Sequence, residues 1–180
     1  MKLLFIFIVS YFSFLHADAS QKLYDLYQKG LYAQGCDYGY KVFPQNKQNE
    51  AFVSLLGFSC LKADQLDRLA PVIASLHDTP DARANGAYFS LLLMQKKLLM
   101  QALYDGKTIM NLRFPTSGHI LSKVFDLYLK NPKEDDIVKE YIDPLNPRQA
   151  FRLYTTETGG RKSIAIDEYY DKILTMHHVY

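Results

Sequence analysis

The longest helical pattern in the chain covers residues 81–105 and reads DARANGAYFSLLLMQKKLLMQALYD. Apolar side chains occur on almost every side of this segment, and only a narrow polar strip interrupts them. A helix that is apolar on most sides is normally surrounded by other elements. Asp78-Thr79-Pro80 provides a cap before the segment, and Gly106 ends it. We therefore predict that residues 81–105 form the central helix of a helical domain.

Shorter helical patterns lie on both sides of this segment. Their apolar residues recur at helical spacing, and glycine, proline or asparagine separates one pattern from the next. Pro44 is expected to end the second helix, because proline breaks a helix interior. Two prolines in 143–147 favour extended backbone there. The predicted helices cover residues 20–31, 32–43, 49–63, 65–77, 81–105, 117–130 and 134–142.

The last part of the chain changes character. Phe151–Glu157 and Arg161–Asp167 are short runs with Thr, Tyr and Ile, joined across Thr158-Gly159-Gly160. This pattern predicts a β-hairpin, to which residues 172–180 could add a third strand. An isolated hairpin is marginally stable in water, so it must pack on the helices. The predicted fold is mainly α, a stack or bundle of antiparallel helix pairs with a small C-terminal β-hairpin. It forms a single domain over 20–180, made of helix hairpins (20–80), central and following helices (81–142) and a hairpin cap (148–180).

The N-terminus has the pattern of a secretory signal peptide. Met1-Lys2 gives a positive start, residues 3–15 are apolar apart from two serines, and Ala17 and Ala19 supply an A-x-A cleavage site. The apolar core is too short to span a bilayer, which needs about 20 residues. We therefore predict a signal peptide over residues 1–19, cleavage after Ala19, export to a bacterial periplasm, and no stable membrane anchor.

Two cysteines, Cys36 and Cys60, lie in the predicted mature chain. Thiols of exported proteins meet an oxidising compartment, where they tend to pair. We therefore predict a disulfide between Cys36 and Cys60. The alternative is a pair of buried free thiols, since free cysteine packs as a small apolar residue.

Residues 20–80 contain an internal repeat. At a shift of 34 residues, turn residues fall on turn residues, and apolar or small residues fall on each other: Leu26 on Cys60, Gly30 on Asp64, and Tyr32 on Leu66. A helix–turn–helix repeat of this period resembles the tetratricopeptide repeat. Gly30, Tyr32 and Gly35 in the first copy, and Gly57 in the second, match the family's turn glycine, aromatic and small positions. The resemblance implies a binding scaffold with a concave surface and no common catalytic residues. An irregular helical bundle with hairpins of similar length is the alternative.

Tyrosine is the one compositional excess, with 14 in the chain and no tryptophan. Several tyrosines crowd into one short segment at the start of the predicted mature chain. Tyrosine combines apolar area with a polar tip and is common in binding surfaces. We consider a partner-binding or peptide-binding groove lined by Tyr24, Tyr27 and Tyr38. The alternative is partly buried packing of these rings in a small core.

The sequence contains no catalytic motif. The adjacent residues His177-His178 on a strand would point to opposite faces and would bind a metal poorly. Glu168 and Asp171 flank Tyr169-Tyr170 as in a sugar site, but packing of the two tyrosines on the helices is the favoured explanation. The segment Thr158–Ser163 lacks the G-x-x-x-x-G-K-[ST] pattern of a phosphate loop. We therefore predict no catalytic residues, no metal site and no cofactor.

The predicted function is a non-catalytic, periplasmic protein–protein interaction or scaffold module, whose partner is an envelope protein or peptide. The net charge of only +2 gives no electrostatic argument for nucleic acid as a partner. One alternative is an envelope hydrolase acting on peptide, cell-wall or sugar substrates, which requires a deep pocket and perturbed pKa values. Another alternative is a carrier of an apolar small ligand around residues 81–105.

Overall fold

The computed structural model describes residues 19–109 and 112–180. Apart from Ala19, the predicted signal peptide lies outside the described residues. The chain divides after Ser90 into two compact units. The N-terminal unit is helical, whereas the C-terminal unit combines helices with a β-sheet.

The helices and strands follow one another in two blocks along the chain. The helices are α1 (residues 19–28), α2 (Tyr32–Asn46), α3 (Glu50–Lys62), α4 (Leu69–Ala74), α5 (Pro80–Asp105) and α6 (Ile120–Lys130), and a 3-10 turn, Leu66–Arg68, precedes α4. The strands are β1 (Lys139–Asp143), β2 (Asn146–Thr158), β3 (Arg161–Tyr170) and β4 (Ile173–Val179). Because the units divide after Ser90, α5 contributes its first turns to the N-terminal unit and the rest to the C-terminal one.

In the N-terminal unit, short turns join successive helices, which places neighbours antiparallel. Two glycines allow very close helix contacts. At Gly39 of α2, an added Cβ would lie 2.5 Å from Leu56 Cδ1 of α3. At Gly57 of α3, it would overlap the ring of Phe89 in α5. Only glycine lets the backbones approach this closely.

The predicted disulfide is present and joins α2 to α3. The Sγ atoms of Cys36 and Cys60 are 2.02 Å apart, and both residues are fully buried. A disulfide of this kind is typical of proteins that fold outside the reducing cytoplasm. Within the described ranges, the helices are too short or too polar to cross a bilayer.

Two prolines behave differently from the expectation. The second helix was expected to end at Pro44, but α2 continues through this residue to Asn46. Pro44 lies in the last turn, where it removes a single helical hydrogen bond. The helix predicted over 65–77 is shorter and begins as a 3-10 turn. Pro71 lies in the first turn of α4, where no backbone N–H is needed.

The C-terminal unit contains a four-stranded antiparallel sheet in the order β1-β2-β3-β4. The predicted hairpin is its β2–β3 pair, and the third strand proposed over 172–180 is β4. Gly159 and Gly160 form the two-residue turn with φ values of +58° and +78°, which suit glycine. The turn between β1 and β2 is held by Asp143, whose Oδ1 accepts a hydrogen bond from Leu145 N at 2.9 Å.

The predicted fold class, mainly α with a small C-terminal hairpin, is therefore wrong. The described chain is 52% helix and 22% strand, and its strands form a complete antiparallel sheet, so the fold is α+β. The main error is the helix predicted over 134–142, because residues from Lys139 onward form β1. Buried Lys139, Tyr141 and Asp143 alternate there with exposed residues, the period of a strand. Pairing with the long strand β2 makes residues 139–143 a strand.

The helices cover one face of the sheet, here called the inner face. Lys123 of α6 places Nζ 2.8 Å from Asp143 Oδ2 and 5.6 Å from the centre of the Phe151 ring. Tyr104 of α5 donates a hydrogen bond to Thr156 O at 2.8 Å. The inner face carries the buried apolar residues Tyr141, Phe151, Leu153, Ile164 and Ile166.

The helix predicted to be central, α5, is buried along one stripe rather than all round. Phe89, Leu92 and Leu99 are fully buried, whereas Met94 is 52% exposed. The stripe also contains a polar residue, Gln95, whose Nε2 donates to Ser122 Oγ of α6 at 3.1 Å. The helix is thus covered on one side and meets solvent on the other.

Candidate functional site

The sheet has a second face, here called the open face, which points away from α6. Its side chains fall into three rows that run across the strands, because antiparallel register places one residue of each strand opposite the next. The charged row is Glu140, Arg152, Asp167 and His177. The first apolar row is Ile142, Ala150, Tyr169 and Leu174. The second apolar row is Tyr154, Ala165 and Val179.

The members of the charged row are paired with one another. Arg152 Nε donates to Glu140 Oε1 at 2.7 Å, which is the main reason that the pKa of Arg152 is raised. Asp167 Oδ1 lies 2.5 Å from His177 Nδ1. Tyr154 donates to Asp167 Oδ2 at 3.2 Å, and burial together with this carboxylate raises the pKa of the phenol. The row therefore contains the Arg152–Glu140 ion pair and the Asp167–His177 contact, and the neighbouring Tyr154 stays neutral.

Three members of the apolar rows, all on the edge strands β1 and β4, are exposed, whereas Ala165 in the middle of the sheet is fully buried. Ile142 is 66% exposed, Leu174 52% and Val179 41%. Exposed apolar side chains with a polar row beside them make this face a candidate binding surface. A hollow of about 720 Å³ borders the first apolar row, and its lining includes Ile142, Ala150, Arg152 and Tyr169. Arg152 lies over the Tyr169 ring at 4.9 Å, which holds one wall of the hollow in place.

Exposed apolar side chains are concentrated in the C-terminal unit. Among the described residues, thirteen large apolar side chains are exposed, two before Ser90 and eleven after it. The two in the N-terminal unit are Tyr24 and Leu31. The distribution identifies the sheet and its neighbourhood, rather than the helical hairpins, as the best candidate for a binding surface.

One cluster in the described part of the chain brings metal-ligating atoms together: Glu50, His77 and Asp78, within 4.8 Å of one another. Glu50 Oε1 accepts hydrogen bonds from the backbone N–H groups of His77 and Asp78, both at 2.7 Å. Glu50 Oε2 accepts from the N–H and the hydroxyl of Thr79, at 2.8 and 2.7 Å. These four bonds occupy the lone pairs of both oxygens.

The hydrogen bonds to Glu50 also control its charge. Desolvation disfavours the carboxylate, but the donors of Asp78, Thr79 and His77 together outweigh it and lower the pKa of Glu50 to about 2. Thr79 in turn caps α5, since its Oγ1 accepts from Ala82 N at 3.2 Å. The cluster is a clamp between the starts of α3 and α5, and its carboxylate has no lone pair left for a cation.

The three tyrosines predicted to line a groove lie on α1 and α2. Tyr24 is 49% exposed, and Tyr27, three residues further on the same helix, packs edge-on against Tyr32 at 5.2 Å. Tyr38 is half-buried beneath Lys22, whose Nζ lies 4.5 Å from the ring centre. Their role in binding stays a prediction.

The structure separates the C-terminal residues that were weighed as a metal site or a sugar site. His177 belongs to the open face, whereas His178 is on the inner-face side, with Nε2 2.9 Å from Glu168 Oε1. Asp171 is paired with Arg148, whose Nε donates to Asp171 Oδ1 at 2.8 Å. The two carboxylates that flank Tyr169-Tyr170 therefore do not converge on one sugar-binding site.

Sequence reasoning missed the open face as a site. The available signal was the alternation along β2, where Ala150, Arg152 and Tyr154 take one face and the buried residues Phe151 and Leu153 take the other. Only the cross-strand register shows that the charged residues of four strands share one row.

No protein family model, curated protein or solved structure matches this chain.

Proposed function

We propose that this protein is a non-catalytic protein–protein interaction module that binds its partner through the open face of the sheet. The observation that carries the proposal is the composition of that face. The exposed apolar side chains of Ile142, Leu174 and Val179 flank a charged row whose members are already paired with one another. Apolar contact area gives affinity when it is buried, and a charged row of defined order gives specificity and register.

The state of the charged groups also favours binding over catalysis. A general base needs a nitrogen or oxygen within hydrogen-bond reach of the proton that it removes. The side chain of His177 is 51% exposed at the edge strand, and Arg152 is held by Glu140. The envelope hydrolase and the carrier of an apolar ligand around α5 stay predictions without an observation in their favour.

We further propose that the protein works in the periplasm after removal of a signal peptide over residues 1–19. The buried Cys36–Cys60 disulfide supports a destination outside the reducing cytoplasm. We also retain the tetratricopeptide-like interpretation of residues 20–80 as a proposal. The helix order and the close contact at Gly57 support this interpretation. In this view, the helical unit is a scaffold and the sheet carries the main binding surface.

Site-specific photo-crosslinking in cells tests the proposed function. A photoreactive amino acid replaces Ile142 or Leu174 on the open face, and Leu31, an exposed apolar residue of the N-terminal unit, is the matched control. Tyr24 is a fourth position, which tests the predicted tyrosine groove. We expect defined adducts, identified by mass spectrometry, from Ile142 and Leu174 but not from Leu31.

The substitution pair Ile142→Ser and Leu174→Ser gives an independent readout, because it removes apolar area without changing charge. It should abolish the adduct formed from a third open-face position, Val179. Adducts that form only from Tyr24, or no adducts from the open face, would contradict the proposal.

A further inference from the structure

Building on the proposed function, we propose that the partner binds as an extended strand, which pairs with the outer edge of β4 and enlarges the sheet. Strand β4 comes last in the order β1-β2-β3-β4, so it has a neighbouring strand on one side only. A strand at the edge of a sheet presents a row of backbone N–H and C=O groups, which an added strand satisfies. The inference rests on the proposed function and names the form in which the partner binds.

The hydrogen bonds to β3 determine which backbone groups of β4 point outward. Ile164 and Tyr180 exchange both of their backbone hydrogen bonds, at N–O distances of 3.2 and 2.9 Å. In an antiparallel ladder, such pairs alternate with pairs that do not bond to each other. The N–H and C=O groups of His177 and Val179 therefore point away from β3. Within the described ranges, no backbone group of another element bonds to them.

The opposite edge of the sheet, strand β1, is protected against such pairing. It has five residues, and the charged residues Lys139 and Asp143 point inward and are buried. Short edge strands and inward-pointing charges are devices that prevent an added strand from pairing. Strand β4 has seven residues and contains no Lys, Asp, Glu or Pro. Of the two edges, β4 is therefore the one that accepts a strand.

Apolar side chains on both sides of β4 favour a polypeptide strand over any ligand that lies on one face. Leu174 and Val179 are on the side of the open face, whereas Ile173 and Met176 are on the opposite side and are 69% and 53% exposed. A strand covers both sets, because its alternate side chains point to opposite sides of the sheet. The partner segment therefore carries apolar side chains on both sides. It also continues the proposed binding surface, to which Leu174 and Val179 belong.

A segment of a different protein fits this edge better than β4 of a second copy. Thr175 has no partner in β3, so the regular part of the edge covers residues 176–180. A twofold pairing of this part with itself would place the two His178 side chains directly opposite each other. Each His178 is half-buried and already contacts Glu168 and the ring of Tyr180. A strand of a different sequence avoids this meeting of identical side chains.

Hydrogen exchange of the protein alone, followed by NMR at single amides, tests whether the edge is open. We expect the amides of His177 and Val179 to exchange at least about tenfold faster than those of His178 and Tyr180, which bond to β3. Equal protection of the four amides would show that the edge is already covered within the chain. This result would overturn the inference.

A phage-displayed library of random linear peptides supplies the probe for binding. We expect the protein to select peptides with apolar residues on both sides of a strand. Replacing single amides of a selected peptide by esters then removes one N–H donor at a time. Esters at every second position should weaken binding by about two- to tenfold, and esters between them should have little effect. A loss without this alternation would overturn the inference.

Substitutions on β4 test where the selected peptide binds. Met176→Lys places a charge at the edge, and Val179→Pro removes an outward N–H while the bond from Tyr180 N to Ile164 O is kept. Each should weaken binding by at least about tenfold. Leu145→Lys, the same type of change at a 93% exposed residue of the β1–β2 turn, is the matched control and should have no effect. Circular dichroism checks folding, and Met176→Lys decides the question if Val179→Pro is unfolded.

The outcomes separate this inference from the proposed function. The absence of selected peptides, or peptides that bind the β4 variants as well as the wild type, would overturn the strand inference. Adducts formed in cells from a photoreactive residue in place of Leu174 that persist alongside Met176→Lys would then leave the proposed function standing. Adducts missing from the whole open face would contradict the proposed function itself. A wild-type dimer that Val179→Pro dissociates would show that a second copy occupies the edge and would also overturn the inference.

Discussion

The two units of this chain treat their apolar surface in opposite ways. In the N-terminal unit, close helix contacts at Gly39 and Gly57 and a buried disulfide leave two large apolar side chains exposed, whereas the C-terminal unit exposes eleven. Helices can turn their apolar stripes toward one another until little remains uncovered. A sheet covered by helices on one side has a second face, which is polar in a protein that works alone. Three of these eleven, Ile142, Leu174 and Val179, lie on the open face and are the basis of the proposed binding surface.

Removal of the disulfide should change the stability difference between the two units most, because this cross-link lies only in the helical unit. Replacing Cys36 and Cys60 by alanine removes a cross-link between residues 24 apart in sequence. The chain-entropy model predicts a loss of about 3–4 kcal/mol in the free energy of unfolding. Hydrogen exchange should show the loss in α2 and α3 and little change in the sheet.

Reduced wild-type protein is the control for that experiment and should behave like the double alanine variant. An equal loss of protection in both units would contradict the idea that the two regions are stabilised separately. Loss of protection in the sheet alone would contradict it more strongly.

A matched pair of leucines compares the two faces of the sheet. Leu153→Ala removes a fully buried side chain from the inner face and should cost about 2–5 kcal/mol. Leu174→Ala acts on the open face, where the side chain is 52% exposed. It should change the free energy of unfolding by about 0.5 kcal/mol or less.

Urea unfolding followed by circular dichroism at low protein concentration gives both values without a contribution from assembly. Similar costs for the two substitutions would show that the open face is covered within the monomer. This result would remove the basis of the proposed binding surface.

The smallest expected effect concerns the clamp in the helical unit. The pKa of Glu50 is about 2 in the folded chain, below the ordinary value of a glutamate. A lowered pKa means that the carboxylate stabilises the fold above the pKa of the unfolded chain, and that this contribution is lost as the pH falls toward 2. Glu50→Gln should therefore lower the melting temperature at pH 7, and the difference from wild type should shrink between about pH 5 and 2.

Thermal unfolding across this pH range checks the prediction, with Glu157→Gln as a matched exposed control near the β2–β3 turn. A difference between wild type and Glu50→Gln that is constant with pH would contradict the role of the charge. The clamp belongs to the N-terminal unit, so the sheet should respond less than the helices.

Local patterns predicted some elements well. Apolar residues at helical spacing predicted helices over 49–63 and 117–130, and α3 and α6 lie there. The two glycines between Phe151–Glu157 and Arg161–Asp167 led directly to the β2–β3 turn. The cysteine pair was inferred from its expected compartment and is bonded. The helices and the turn depend on residues close in sequence, and the disulfide was inferred from the oxidising compartment alone.

Other features could not be predicted from local patterns. The segment before Pro144 looked like an acidic helix start, yet Lys139–Asp143 is a strand, because β2 offers it a partner whose register buries Tyr141. The open face was missed for a related reason. Its charged row joins Glu140, Arg152, Asp167 and His177 from four strands, and no sequence spacing shows that they are neighbours.

The sequence by itself determined the helical hairpins, the central turn of the sheet and the disulfide, because spacing, turn residues and cysteine chemistry act locally. Tertiary structure alone decided that β1 is a strand and which side chains share the face that points away from α6. Strand pairing is a long-range interaction, and a side chain's exposure depends on what packs over it. For the same reason, the order of charges across the open face exists only in the folded chain.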